Sequence, residues 1–140
     1  MSLPLTGKVA IVTGASRGIG AAVSERLAAD GATVIVNYNS SKSSADDLVE
    51  RINGQGKGRA VAVKANIASL EDGKQLVEST VEKFGRIDIL VLNAALVIDG
   101  TLDVVTEEQF DKHFDLNVKV PLFIVQAASK HMKPGTVSLF

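Results

Sequence analysis

Short apolar runs rich in β-branched residues alternate along this chain with longer segments of helical period. Lys8 to Thr13 (KVAIVT), Ala32 to Asn37 (ATVIVN), Arg59 to Lys64 (RAVAVK), Ile87 to Leu92 (IDILVL) and Gly135 to Phe140 (GTVSLF) are apolar on both faces of an extended chain. That predicts five strands buried on both sides. Between them, Ile19 to Asp30 puts Val23, Leu27 and Ala28 on one helical face and stops at Gly31. A second helix carries Ala45, Leu48, Val49 and Ile52 and runs out at Gly54. A third opens on Ser69-Leu70-Glu71-Asp72, which resembles a capping box with Asp in place of Glu, presents Leu76, Val77, Val81 and Phe84, and ends at Gly85. Thr106 to Gln109 is a capping box ahead of Phe110 and Phe114. The segment Asn117 to Met132 is helical and apolar nearly all round, so it is expected to be buried on more than one side.

Strands that alternate with helices predict an α/β fold with a parallel sheet, because parallel neighbours need a crossover between them. Right-handed crossovers then give a doubly wound, Rossmann-like sheet of order 3-2-1-4-5. Strands one to three form one mononucleotide half, and strands four and five begin the other. Two strand and helix units of that second half are absent, so residues 1–140 read as a single dinucleotide-binding domain that is incomplete. No linker, low-complexity stretch or charge block divides it.

Composition narrows the partners. The chain is 46% hydrophobic and 22% charged, the balance of a folded domain. It has no cysteine, which excludes disulfides, thiolate metal sites and a cysteine nucleophile among its residues. Lys plus Arg number 15 against 16 Asp plus Glu, and a net charge of -1 offers no footprint for nucleic acid or an anionic membrane. The start, Met1-Ser2-Leu3-Pro4-Leu5, has neither the basic region nor the apolar run of a signal peptide. With no apolar stretch long enough to span a bilayer, a cytoplasmic chain is the default expectation. Glu107-Glu108 and Asp46-Asp47 sit where helix N-termini favour negative charge, and no metal constellation is expected. His113 and His131 read as helix-face residues with no carboxylate or nucleophile at a recruiting distance in sequence.

The strongest motif is Thr13-Gly14-Ala15-Ser16-Arg17-Gly18-Ile19-Gly20, between the first strand and the first helix. Glycines there permit a tight turn and a close approach to a pyrophosphate, whose charge is met by free N–H groups at the helix N-terminus. The competing reading is a tight strand-to-helix turn that holds no ligand. Further matches follow in order: Leu5-Thr6-Gly7-Lys8, Ala65-Asn66-Ile67, Phe84-Gly85-Arg86-Ile87-Asp88, Leu92-Asn93-Ala94-Ala95 and Asn117. Together they resemble the short-chain dehydrogenase/reductase family over essentially the whole chain. Asn37-Tyr38-Asn39-Ser40-Ser41 resembles most the NADPH-dependent carbonyl and polyhydroxynaphthalene reductases of that family.

Cofactor preference has a physical argument. NAD-specific sites usually place an acid at the end of the second strand, where it accepts hydrogen bonds from the ribose hydroxyls and repels a 2′-phosphate. Here the segment is Asn37-Tyr38-Asn39-Ser40-Ser41-Lys42, with Arg17 reaching from the glycine loop. Hydroxyls and cations are expected to converge on an extra phosphate, which favours NADP(H). The resemblance further implies that Asn66 and the backbone of Ile67 hold the adenine edge and that Asn93, Ala94 and Ala95 line the adenosine ribose. Two departures stand out: Asn66 replaces the family's Asp, and Ala95 replaces its final Gly.

Catalysis in the family, by the same resemblance, uses a Ser, a Tyr, a Lys four residues beyond it, and an Asn that completes a proton relay. Asn117 fits the last role, with an equal alternative as a polar residue satisfying backbone groups at a helix bend. The chain ends before the family positions of the other three. Its single tyrosine, Tyr38, forms a Y-x-x-x-K pattern with Lys42. That pattern is rejected as the catalytic pair, because it leaves strand two at the adenosine end of the cleft.

Three readings therefore stand. One is an NADP(H)-binding chain with weak or no reductase activity of its own. Another is a functional oxidoreductase completed by further sequence or by a partner. The third is a scaffold or regulatory protein with no nucleotide role. A homo-oligomer through the Asn117 to Met132 helix or the strand-five edge is expected, since both would otherwise expose pairing surfaces.

Overall fold

The computed structural model describes residues 2–139. Five strands, β1 (Val9–Val12), β2 (Thr33–Tyr38), β3 (Arg59–Lys64), β4 (Ile89–Val91) and β5 (Val137–Leu139), form one parallel sheet in the order β3-β2-β1-β4-β5. The doubly wound order is the expected one. Phe140, the last residue of the expected fifth strand, lies outside the described residues.

Strand parity builds two cores. Ala10, Val12, Val34 and Val36 point to one face and pack with Ala28 of α1 (Gly18–Ala29) and Ala45, Leu48 and Ile52 of α2 (Lys42–Gly54). Ile11, Ile35 and Leu90 point to the other. They meet Leu76 and Val77 of α3 (Leu70–Phe84) and Val120, Ile124 and Ala128 of α5 (Val120–Ser129). Val12, Ile11, Val34 and Leu90 are all without solvent exposure, which is why these runs are continuous rather than alternating.

Several expected boundaries move. β4 begins at Ile89, because Ile87 and Asp88 serve as its approach, with the Asp88 N–H donating to the Val9 carbonyl at 2.9 Å. The capping box of α3 is half formed: the Ser69 hydroxyl accepts from the Asp72 N–H, but the Asp72 carboxylate accepts from the Asn66 N–H, 2.8 Å away, and not from the Ser69 N–H, which donates to the Asn66 carbonyl. Gly85 closes that helix in the left-handed conformation. Thr106 and Gln109 form the complete box of α4 (Glu107–Phe114).

The helix expected from Asn117 to Met132 instead continues α4 through a π-helical turn, Asp115–Lys119, into α5, which ends at Ser129. Nor is α5 buried on more than one side. Val120, Pro121, Ile124 and Ala128 are buried, whereas Leu122 is 60% exposed.

At the amino end of the sheet, Asp88 joins β1 to β4. Its carboxylate, almost fully buried, accepts from the Val9 N–H at 2.9 Å and from Arg86 Nε and Nη2 at 2.8 and 2.6 Å, with Lys8 Nζ at 3.6 Å. Burial pushes this carboxyl up, but the Arg86 hydrogen bonds, the Val9 N–H and the two positive charges together hold it below its ordinary value. A carboxyl with a depressed folded pKa contributes stability that is full above its unfolded pKa, about 4, and is lost as pH falls through the folded value. Asp88→Asn is expected to cost about 2 kcal/mol at neutral pH, because a buried acceptor for charged donors loses its charge. In urea unfolding the gap between D88N and the parent should narrow as pH is lowered towards about 3. A gap that stays constant with pH would refute the assignment.

Candidate cofactor cleft

The carboxyl ends of β1, β2 and β4 carry the residues singled out in the sequence. The turn between β1 and α1 is held from both sides. Asn37, 1% exposed at the end of β2, accepts from the Gly14 N–H through Oδ1 at 3.1 Å, while its backbone carbonyl accepts from the Ala15 N–H at 2.8 Å. Its amide nitrogen donates to the carbonyls of Ala65, Val63 and Tyr38 at 3.1, 3.4 and 3.4 Å. From the other side, Asn93 Nδ2 donates to the carbonyls of Thr13 and Gly14, both at 3.1 Å. The Ala94 N–H donates to Thr13 Oγ1 at 3.0 Å.

Two glycines are required by this packing. Gly14 has φ +59°, and a Cβ there would also lie 3.0 Å from Ala94 Cα. At Gly20 a Cβ would meet Asn93 Nδ2 and the Gly14 carbonyl oxygen at 2.6 Å each. No side chain caps α1 at Arg17, so the first-turn N–H groups of that helix are left for an incoming acceptor.

In front of the turn lies a cleft of about 410 Å³. Gly14, Ser16 and Arg17 line it from the loop, Tyr38, Asn39, Ser40 and Ser41 from the end of β2, and Asn93, Ala94 and Ala95 from the segment after β4. All ten were singled out in the sequence, and no carboxylate is among them. Arg17 is exposed and makes no ion pair among the described residues. Gly18 and exposed Ile19 open α1 beside the cleft.

Lys42 does not join them. Its ammonium pairs with Asp46 one turn along α2, a hydrogen bond that also raises its pKa. Tyr38 lines the cleft at its outer end and is 8% exposed, so Y-x-x-x-K here is a strand end followed by a helix start. Asn66 and Ile67 fall outside the cleft lining. The Asn66 side-chain oxygen accepts from the Ala68 N–H at 3.0 Å, and Ile67 is buried in the core on the α3 face. Ala95 has no positive φ, so the methyl group that replaces the family's glycine adds no backbone strain.

Asn117 lies in the π-helical turn, where its amide is held at both its oxygen and its nitrogen. Oδ1 accepts from the Leu96 N–H and Nδ2 donates to the Leu96 carbonyl, both at 2.8 Å. It also borders a smaller cleft of about 160 Å³ with Leu92, Ala94, Ala95 and Pro121, next to the first. Sequence reasoning missed Asn37 as the strut of the loop. A lone amide ending the apolar run VIVN was the available signal, since a buried polar group needs partners. Among the described residues there is no group of three potential metal ligands, and no helix is long and apolar enough to cross a membrane.

A turn of this kind, opening a helix at the centre of a doubly wound parallel sheet, defines a Rossmann-like α/β protein. Residues 8–138 match the family model for short chain dehydrogenases, and the chain belongs to that family. It is 50% identical over 131 residues to an uncharacterized oxidoreductase of Methylorubrum extorquens, covering 94% of this chain and 52% of that protein. A hydroxynaphthalene reductase-like protein of Metarhizium guizhouense is 43% identical over 131 residues, covering 94% and 49%. Among solved structures, a short chain dehydrogenase from Burkholderia cenocepacia in complex with NADP superposes with a TM-score of 0.91 at 41% identity, covering 96% of this chain and 54% of that one. The chain spans about half the length of the curated relatives it matches.

The Asn37 geometry separates two outcomes that the sequence did not. An acid at this position would not face a ribose; it would set a carboxylate against three carbonyl oxygens in the interior. Asn37→Asp is therefore expected to cost at least about 3 kcal/mol in urea unfolding, more than Asn37→Ser. A stable Asn37→Asp chain with raised NAD(H) affinity would contradict the strut.

Proposed function

We propose that the 410 Å³ cleft binds NADP(H), with the 2′-phosphate against Arg17, Ser40 and Ser41. The observation that carries this reading is an unpaired arginine and two hydroxyls facing one cleft without a carboxylate. The pyrophosphate would lie over Gly14 to Gly20 at the uncapped start of α1. Asn93, Ala94 and Ala95 would line the adenosine ribose. Asn66 and the Ile67 backbone would meet the adenine edge, and for this the Asn66 oxygen would use its second lone pair. NADP-bound relatives of the same family support the assignment.

NADPH, when bound, supplies a hydride. Among the described residues no side chain lining the smaller cleft is placed to donate the accompanying proton: Asn117 is held by Leu96, and Tyr38 lines the other cleft. Reduction of a carbonyl is accordingly proposed for the chain together with a proton donor from further sequence or a partner subunit, with Asn117 as the relay residue it contributes. A scaffold role without nucleotide is the reading left if the cleft binds nothing.

Calorimetry distinguishes these readings. NADPH should bind at least about tenfold tighter than NADH, and Arg17→Ala should erase most of that difference by removing a charge-assisted contact. 2′,5′-ADP should bind almost as well as NADPH. Equal or tighter binding of NADH overturns the NADP(H) assignment, and a large gain from the nicotinamide end overturns the adenosine-half assignment.

The surface of α4, the π-turn and α5 supports self-association. Phe110, Phe114, Val118 and Leu122 recur every four residues and are each at least half exposed, with the two phenylalanine rings stacked at 4.4 Å. A homo-oligomer through this stripe is proposed over one through the three-residue β5 edge. Sedimentation should depend on concentration, and Phe114→Asp with Leu122→Asp should shift the chain to monomer. A parent chain that sediments as a monomer at every concentration excludes the interface.

A further inference from the structure

Beyond β4 the chain leaves the sheet, and residues 96–98 have no strand beside them, yet their backbone is not left unpaired. Asn117 exchanges two hydrogen bonds with Leu96, at 2.8 Å each. Two residues on, the Ile98 N–H donates to His113 Nε2, also at 2.8 Å. The partners on the helical side are four residues apart, and those on the extended side are two apart. Four residues of α-helix rise about 6 Å, a little less here because the π-turn begins at Asp115, and two residues of extended chain advance about 6.6 Å, so the two repeats are comparable. Val97, between the two anchored residues, is 79% exposed, the alternation expected of an extended segment seated on one side.

The His113 ring has a fixed assignment in this arrangement. Its Nδ1 lies 2.9 Å from the Gln109 carbonyl oxygen, which can only accept, so Nδ1 must carry the hydrogen. Nε2 must then present a lone pair to the Ile98 N–H. The opposite tautomer would place N–H against N–H at Ile98 and a lone pair against a carbonyl at Gln109.

We infer that His113 is a positioning residue: in its Nδ1–H tautomer it latches Ile98 to α4 and so fixes the outer end of the wall that begins at Ala94 and Ala95. Asn117 fixes the inner end. His113 touches neither cleft lining, so it acts through the backbone of 96–98. Its bearing on hydride transfer rests on the cofactor reading above, whereas the latch itself does not.

The test uses the full chain without nucleotide, so a failure of the latch and a failure of cofactor binding are separable. Long-range ¹H–¹⁵N correlation of the His113 ring should show a protonated Nδ1 and an unprotonated Nε2. An Nε2–H ring, or averaging between the tautomers, overturns the inference. Amide exchange at Ile98 should accelerate about tenfold in His113→Ala, the value of one hydrogen bond. His113→Gln, whose side-chain oxygen can take the place of Nε2, should restore most of that protection. Unchanged exchange in H113A, or no rescue by H113Q in a chain of parental urea stability, also overturns it. Should H113A fail to fold, the ring tautomer and the H113Q exchange decide alone.

Discussion

Two side-chain amides, those of Asn37 and Asn93, hold the turn between β1 and α1, and the carboxyl end of the sheet is organised around them. A strand that hands over to a helix at the centre of a parallel sheet leaves the ladder with its peptide groups still pointing at neighbours. Those groups must be paired, because they are buried beside apolar strands. Asn37 reaches in from β2 and Asn93 from beyond β4, so the turn is fixed to both neighbouring strands. The absent side chain of Gly20 is part of the same arrangement, since the space a Cβ would need is occupied by the Asn93 amide.

The same device recurs at two other places where the ladder stops. Asn53, near the end of α2, exchanges two hydrogen bonds with Ala60 at 2.8 and 3.2 Å and so satisfies the outer edge of β3, which has a strand on one side only. Asn117 does this for Leu96, and His113 provides one further bond for Ile98. A side-chain amide carries a donor and an acceptor about as far apart as those of a peptide group, so one asparagine can replace one residue of a missing strand. This economy suits a fold whose functional residues lie on the segments just beyond the strands.

Much of the architecture was legible because it is repetitive. Buried parallel strands write themselves as runs such as AIV and VIV, and the order of the sheet follows from crossover handedness. The cleft lining was legible as well, since glycines and short polar residues after strands mark the phosphate turn. What depended on partners distant in sequence was not. Lys42 looked available for a phosphate until Asp46, on the next turn of α2, took its charge. Asp72 looked like the second half of a capping box, but the Asn66 N–H, just before the helix, lies closer to hand. His113 read as a helix-face residue because nothing near it in sequence signals that Ile98 passes over its ring.

The π-turn was hidden for a different reason: it lies just before a residue that already interrupts the helical ladder. In a regular α-helix the N–H of residue 121 would donate to the carbonyl of Asn117, but residue 121 is proline and has no N–H. Just before the proline the helix is widened: the Val120 N–H donates to the Asp115 carbonyl, five residues back. The proline leaves the Asn117 carbonyl without its α-helical partner, at the residue whose side chain exchanges two hydrogen bonds with Leu96. Asn117 and Pro121 both line the smaller cleft, so the residue held to Leu96 and the residue that interrupts the helical ladder meet at one place.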